Sequence, residues 1–176
     1  IPAAETVLPS NLCPLIKSSF GYILTSRCPF FVVSDIVIAE TTCDGKKKMY
    51  ELIADRKPQH ILELTQKVSE PEAFAHWMTE VEKLREALEV QFGSKITDED
   101  LEEAILVMNG ERRLLRRALE LGRRNPSIVS GLELAHLRYR ISGLPEHHEM
   151  MERFIKEVEA RGEPVCLPDA PRILLT

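Results

Sequence analysis

One short pattern in the first third of the chain limits its fold more than any other. Ile36-Val37-Ile38-Ala39 is an apolar, β-branched run that reads as a buried strand. Residues 44–56 follow with Met49, Leu52 and Ile53 on one helical face, and Pro58 ends that helix. Residues 61–64 form a second strand candidate. Strand, helix and strand in this order make a βαβ unit, whose strands run parallel through a crossover that is normally right-handed. The front of the chain is therefore expected to be a small α/β head.

The flanks read as helices. Residues 10–25 place Leu15, Ile16, Phe20, Ile23 and Leu24 at helix spacing, with Pro14 in the first turn, where its missing N–H is not needed. After residue 68 the composition shifts. Ser69-Glu70-Pro71-Glu72 has the serine-to-glutamate spacing of a capping box. It opens a long helix through Trp77, Val81, Leu84 and Leu88 that ends near Gly93. Thr97 opens another, with Ile96 and Leu101 placed for a hydrophobic staple. That helix either runs past Asn109-Gly110 to Gly122 or breaks there. Pro126 and Gly143-Leu144-Pro145 bracket a further helical segment. Residues 145–161 form the last, with Met150, Met151, Phe154, Ile155 and Val158 as its apolar stripe. Gly162, Pro164, Pro168 and Pro171 make a linker before a closing strand at residues 172–175.

The expected class is α/β: a parallel α/β head (residues 1–68), a mainly helical body (69–162), then a linker and the first strand of a second α/β domain (163–176). The chain opens IPAAET, without an initiator methionine, and closes PRILLT on a strand that needs sheet neighbours. Both ends are expected to be cuts in a longer polypeptide.

Composition excludes several classes. A net charge of −5 argues against a general nucleic-acid binder, because phosphate binding needs a basic face. No apolar run approaches the roughly 20 residues that span a bilayer, so no membrane-crossing helix is expected. Four cysteines in 176 residues are too sparse for a disulfide scaffold. Reduced thiols in a cytoplasm fit better.

Three of those cysteines, Cys13, Cys28 and Cys43, stand at equal intervals of fifteen residues. Each sits where a loop meets a regular element, and Pro14 and Pro29 follow the first two. A helix N-terminus favours a thiolate through its unpaired N–H groups and its dipole. Cys13 and Cys43 fit that setting, whereas Phe30-Phe31-Val32-Val33 after Cys28 reads equally as helix or strand. Zinc sites usually show a close CxxC pair, and none is present. Iron–sulfur ligands can be more widely spread. Free cysteine is also a common core residue, so spacing alone leaves simple burial open. Cys166, in the linker, reads as structural or incidental.

Ser10, Asn11, Ser18, Thr41 and Thr42 are placed to hydrogen-bond cluster sulfur or substrate, or simply to cap helices. Lys46, Lys47 and Lys48, with Lys17, suit phosphate contact, an acidic partner surface or a solvated helix face. No histidine is assigned to chemistry. Arg112, Arg113, Arg116, Arg117, Arg123 and Arg124 read as a solvated face or a partner surface.

LPSNLCPLIKSSFG, RCPFF and ETTCDGKKKMYE closely resemble the 2-hydroxyacyl-CoA dehydratase D-component family, which includes benzoyl-CoA reductase subunits and double-cubane cluster reductases. The resemblance is strong over residues 1–66, and it extends to the helical body in layout only. It implies a Rossmann-like head and a [4Fe–4S] cluster held by cysteines from two α/β domains. Cys13 and Cys43 match ligand positions. Cys28 matches a cysteine frequent in the double-cubane [8Fe–9S] branch. Asn11, Ser18, Thr42 and Lys46 are the candidates for cluster or substrate contact. The implied activity is a radical-type lyase or reductase, in which a cluster charged by an ATP-dependent activator gives one electron to a CoA thioester. The implied partners are that activator and an identical or homologous subunit. A further ligand would come from the later domain, so this segment alone is expected to be inactive and not to build a complete cluster site. The alternatives are a double-cubane reductase of small molecules and, in another class, a non-catalytic helical interaction module.

Overall fold

The computed structural model describes residues 1–138 and 142–171, which group into two compact units, Ile1–Lys95 and Ile96–Thr176. The closing strand expected at residues 172–175 lies outside the described residues. The fold is mixed α/β, mostly helical with a small parallel sheet.

In the first unit α1 (Pro2–Glu5), α2 (Pro14–Leu24) and α3 (Pro29–Val33) precede β1 (Val37–Glu40). α4 (Asp44–Ala54) then crosses to β2 (Gln59–Leu62), and α5 (Pro71–Phe92) follows. β1 and β2 pair in parallel, with Val37 opposite Gln59 and Glu40 opposite Leu62. The βαβ unit is present, but β2 begins two residues before the apolar run at 61–64. The pairing with β1 draws Gln59 and His60 into the ladder, so register and not side-chain apolarity sets that boundary.

The core of this unit is Ala4, Leu8, Ile16, Phe20, Met49 and Ile53, with Leu12, Phe31 and Cys43 packed against it. α2 turns Ile16, Lys17, Phe20 and Gly21 inward and leaves Leu15 exposed. Lys17 is thus neither on a solvated face nor free for phosphate. Its ammonium is buried between Glu5 Oε1 and the Ser10 carbonyl, 2.6 Å from each, and joins α1 to α2. α3 settles the segment after Cys28 as helix, and Lys57 donates to the carbonyls of Phe31 and Ser34 at its C-terminal end.

α5 does not use the predicted capping box. Its N-cap is Glu70, without a side-chain cap, because Pro71 takes the first helical position and shifts the start by one residue. Gly93, at φ 62°, ends the helix in the left-handed region that a side chain disfavours. α5 buries Ala73 and Glu80 while Phe74 and Trp77 stay largely exposed.

The second unit holds α6 (Asp98–Leu121), α7 (Gly131–Arg138) and α8 (Pro145–Ala160). Thr97 and Asp100 form a reciprocal capping box, and α6 runs unbroken through Asn109-Gly110. Ala118, Leu121, Ile128, Val129, Met151, Ile155 and Val158 are buried together. Arg117 grips Glu159 with two nitrogens, joining α6 to α8. Among the described residues no helix is long and apolar enough to cross a membrane.

Candidate functional site at the helix N-termini

All three evenly spaced cysteines occupy the N-cap position of a helix: Cys13 of α2, Cys28 of α3, Cys43 of α4. Pro14 and Pro29 explain the first two starts, since proline is pre-set for the first helical residue. The thiol of Cys28 accepts the Phe31 N–H at 3.4 Å. Neither Cys13 nor Cys43 caps its helix with its side chain. Cys13 is exposed, and Cys28 and Cys43 are half-buried.

Two of these helix ends meet. A Cβ on Gly45, in the first turn of α4, would stand 2.7 Å from Ile16 Cδ1 and 3.0 Å from Leu12 Cδ1. Leu12 directly precedes Cys13, and Ile16 lies one turn after it. Gly45 therefore lets the cysteine-bearing end of α4 sit against that of α2. The donor chemistry fits thiolate ligation at positive helix ends. The set is incomplete, however. Among the described residues no three His, Cys, Asp or Glu side chains gather into a group that could hold a metal ion.

Between β1 and Cys43 the backbone is held by side chains. Glu40 accepts the Thr42 N–H on Oε2 at 2.6 Å and the Lys46 ammonium on Oε1 at 2.5 Å. Lys46 first, and Thr42 second, hold the Glu40 carboxyl down to about 2. Glu40 in turn raises Lys46. Burial pushes Tyr50 up, with Glu40 and Cys43 adding to the rise and Lys46 opposing it. Cys43, Glu40, Lys46 and Tyr50 thus share one electrostatic neighbourhood. The lysine run is not an open basic patch, because Lys47 pairs with Asp44 and Lys48 with Glu51.

The exit of β2 is tied to the same place. Thr41 Oγ1 accepts the Leu64 N–H at 2.9 Å. The buried Glu80 carboxylate accepts the Glu63 N–H at 2.8 Å, and His76 Nε2 lies 2.6 Å from the Glu63 carbonyl. Lys83 and the Glu63 N–H hold Glu80 ionised. Around these loops lies a cavity of about 440 Å³, lined by Thr42, Leu64, Val68, Phe74, His76 and Trp77 among others. It sits at the carboxyl ends of the two parallel strands, the position ligands favour in open α/β sheets.

The other predicted site residues are dispersed. Thr42 lines the cavity, and Lys46 is engaged by Glu40. Asn11 is exposed. Ser18 lines a different cavity, of about 310 Å³, with Ile1, Tyr22 and Arg27. Cys166 borders a cavity in the second unit. Sequence reasoning missed Glu40, Gly45 and Glu80. Gly45 did leave a signal, since glycine early in a helix often marks close approach. Glu40 and Glu80 left none, because their roles depend on loops that fold back.

The 2-hydroxyglutaryl-CoA dehydratase, D-component family matches residues 1–176. The chain is 40% identical over 182 residues to the putative dehydratase subunit YjiM of Escherichia coli (strain K12), covering 100% of this chain and 47% of that protein. It is 27% identical over 165 residues to a benzoyl-CoA reductase subunit of Thauera aromatica, covering 89% of this chain and 42% of that protein. It spans about half the length of these curated relatives. With the matched family covering every residue, and with ETTCDGKKKMYE standing at the strand-to-helix turn, this chain belongs to the 2-hydroxyglutaryl-CoA dehydratase D-component family.

Proposed function

We propose that this chain supplies part of the cluster-side domain of an iron–sulfur-dependent 2-hydroxyacyl-CoA dehydratase or a benzoyl-CoA-reductase-like enzyme. Cys13 and Cys43 are its thiolate ligands to a [4Fe–4S] cluster, and the remaining ligands come from outside the described residues. The observation that supports this reading is the contact at Gly45, which joins the helix ends bearing two thiols that cap nothing. When bound, such a cluster supplies a low-potential electron and an iron able to polarise a carbonyl oxygen.

The chain's own residues have narrower tasks in this reading. The N-terminal amides and dipoles of α2 and α4 stabilise negative charge on Cys13 and Cys43. Thr42 and the apolar wall of Phe74 and Trp77 take the acyl part of a CoA thioester and keep water from it. The parallel β1–α4–β2 unit is the start of a Rossmann-like head within residues 1–68, residues 69–162 are the helical region, and residues 163–176 lead into a second α/β domain. A cytoplasmic enzyme is completed by an ATP-dependent activator and by an identical or homologous subunit, and this segment alone is inactive.

The test is iron and acid-labile sulfide analysis of the anaerobically purified full-length protein. Cys43→Ala is expected to lose most of the bound iron, and unchanged iron content refutes the assignment. A double-cubane reductase is the second reading, favoured by Cys28, which also stands half-buried at a helix N-cap. Iron stoichiometry per chain separates the two.

A further inference from the structure

Cys43 ends a three-residue turn that leaves β1 and enters α4. Its half-buried side chain packs against the core, while the backbone before it needs further ties. Thr42 is exposed, so burial does not hold it. Glu40 lies at the last position of β1, where pairing with Leu62 anchors its backbone in the sheet. From that anchor its carboxylate reaches forward twice. One oxygen takes the Thr42 N–H at 2.6 Å, and the other takes the Lys46 ammonium, one helical turn past Cys43, at 2.5 Å. The residue before Cys43 and the first turn after it are thereby tied to the same strand end. The intervening Thr41 is fixed from the other side, because its hydroxyl accepts the Leu64 N–H at the exit of β2.

We propose that Glu40 is the positioning residue of Cys43, bridging the Thr42 amide and the Lys46 ammonium so that the thiol is set before any ligand arrives. For its consequence in cluster assembly this rests on Cys43 being a ligand; the bridge itself does not. Both contacts are charge-assisted, the stronger kind of hydrogen bond. Their loss leaves the turn held by the Thr41 contact and by the packing of Cys43 against the core.

The test uses the full-length protein freed of metal, at one fixed pH, in three forms: wild type, Glu40→Ala and Glu40→Gln. The readouts are hydrogen exchange of peptides covering residues 41–46 and the iodoacetamide alkylation rates of Cys43 and Cys13, resolved by peptide mass. Glu40→Ala is expected to speed both exchange and Cys43 alkylation by about tenfold, the scale of a lost hydrogen bond to a charged group. Cys13 alkylation is expected to stay unchanged. Glu40→Gln keeps an oxygen for the Thr42 N–H but loses the ion pair, so it restores part of the protection. It also decides the matter if Glu40→Ala does not fold. Exchange and Cys43 alkylation at wild-type rates in Glu40→Gln and Glu40→Ala overturn the proposal, as does an equal acceleration at Cys13, which signals general loosening. Iron measured on the reconstituted forms separates the two claims. If the bridge variants loosen Cys43 while Cys43→Ala keeps its iron, the ligand assignment fails and the positioning role stands.

Discussion

Replacing Gly45 with alanine tests whether the two cysteine-bearing helix ends depend on close contact. Carbon atoms in a packed interior rest about 3.5–4.0 Å apart. The new methyl would lie 2.7 Å from Ile16 Cδ1 and 3.0 Å from Leu12 Cδ1. Leu12 is half-buried and can turn away. Ile16 is 6% exposed and packed among Phe20, Met49 and Ile53, so it cannot yield without moving its neighbours. Overpacking of this kind costs about 1–3 kcal/mol. The helix preference of alanine over glycine returns up to about 1 kcal/mol. The expected net effect of Gly45→Ala is a destabilisation of about 1 kcal/mol, read as a fall in the urea midpoint of the full-length protein at unchanged slope. A double-mutant cycle with Ile16→Val sharpens the test, because valine lacks the Cδ1 atom that the new methyl strikes. Ile16→Val alone costs about 0.5–1.5 kcal/mol. The double variant is expected to be more stable than the sum of the two singles by at least about 0.5 kcal/mol. Additivity, or a stabilising Gly45→Ala, refutes the close approach of α2 and α4.

Two further outcomes concern an ion pair in the second unit and the starts of two helices. Arg161 at 2.6 Å and the Ser130 hydroxyl and N–H at 2.8 Å face Glu133, and Arg161 above all holds its carboxyl at about 2, below its usual 4.5. A carboxyl lowered by folding stabilises the fold above its unfolded value and loses that contribution as pH falls. Wild-type helicity is therefore expected to weaken between about pH 4.5 and 2 more steeply than that of Glu133→Gln, and acid titration by circular dichroism with parallel curves contradicts this. Thr97→Ala removes the reciprocal cap of α6 and is expected to cost about 1 kcal/mol in urea unfolding, whereas Ser69→Ala, at the unused capping sequence, is expected to cost nothing measurable.

That contrast shows where the sequence was legible. Local signals read correctly where nothing competed: Thr97 at the start of α6, Gly93 at the end of α5, and the βαβ alternation. They failed where a stronger local rule intervened, as at Ser69, where Pro71 fixes the first helical residue one position later. The N-cap placement of Cys13 and Cys43 was legible from their neighbours, because loop-to-helix transitions are short-range events. Which side chains hold those thiols was not. Glu40, Gly45 and Glu80 act through contacts between elements whose approach no window of sequence encodes. Lys17 is the same lesson in charge: it suited a phosphate or a solvated face, yet its side chain is buried and its ammonium is taken by Glu5 and the Ser10 carbonyl.

The most direct measurement is iron and acid-labile sulfide in the full-length protein, purified without oxygen, for Cys13→Ala, Cys43→Ala, the double variant and Cys166→Ala. Two thiols that grip one cluster fail together. Each single variant is expected to lose most of the iron, the double variant to lose no more than either single, and Cys166→Ala to retain it. Losses that add across the two positions, or iron that persists in both single variants, contradict a shared cluster.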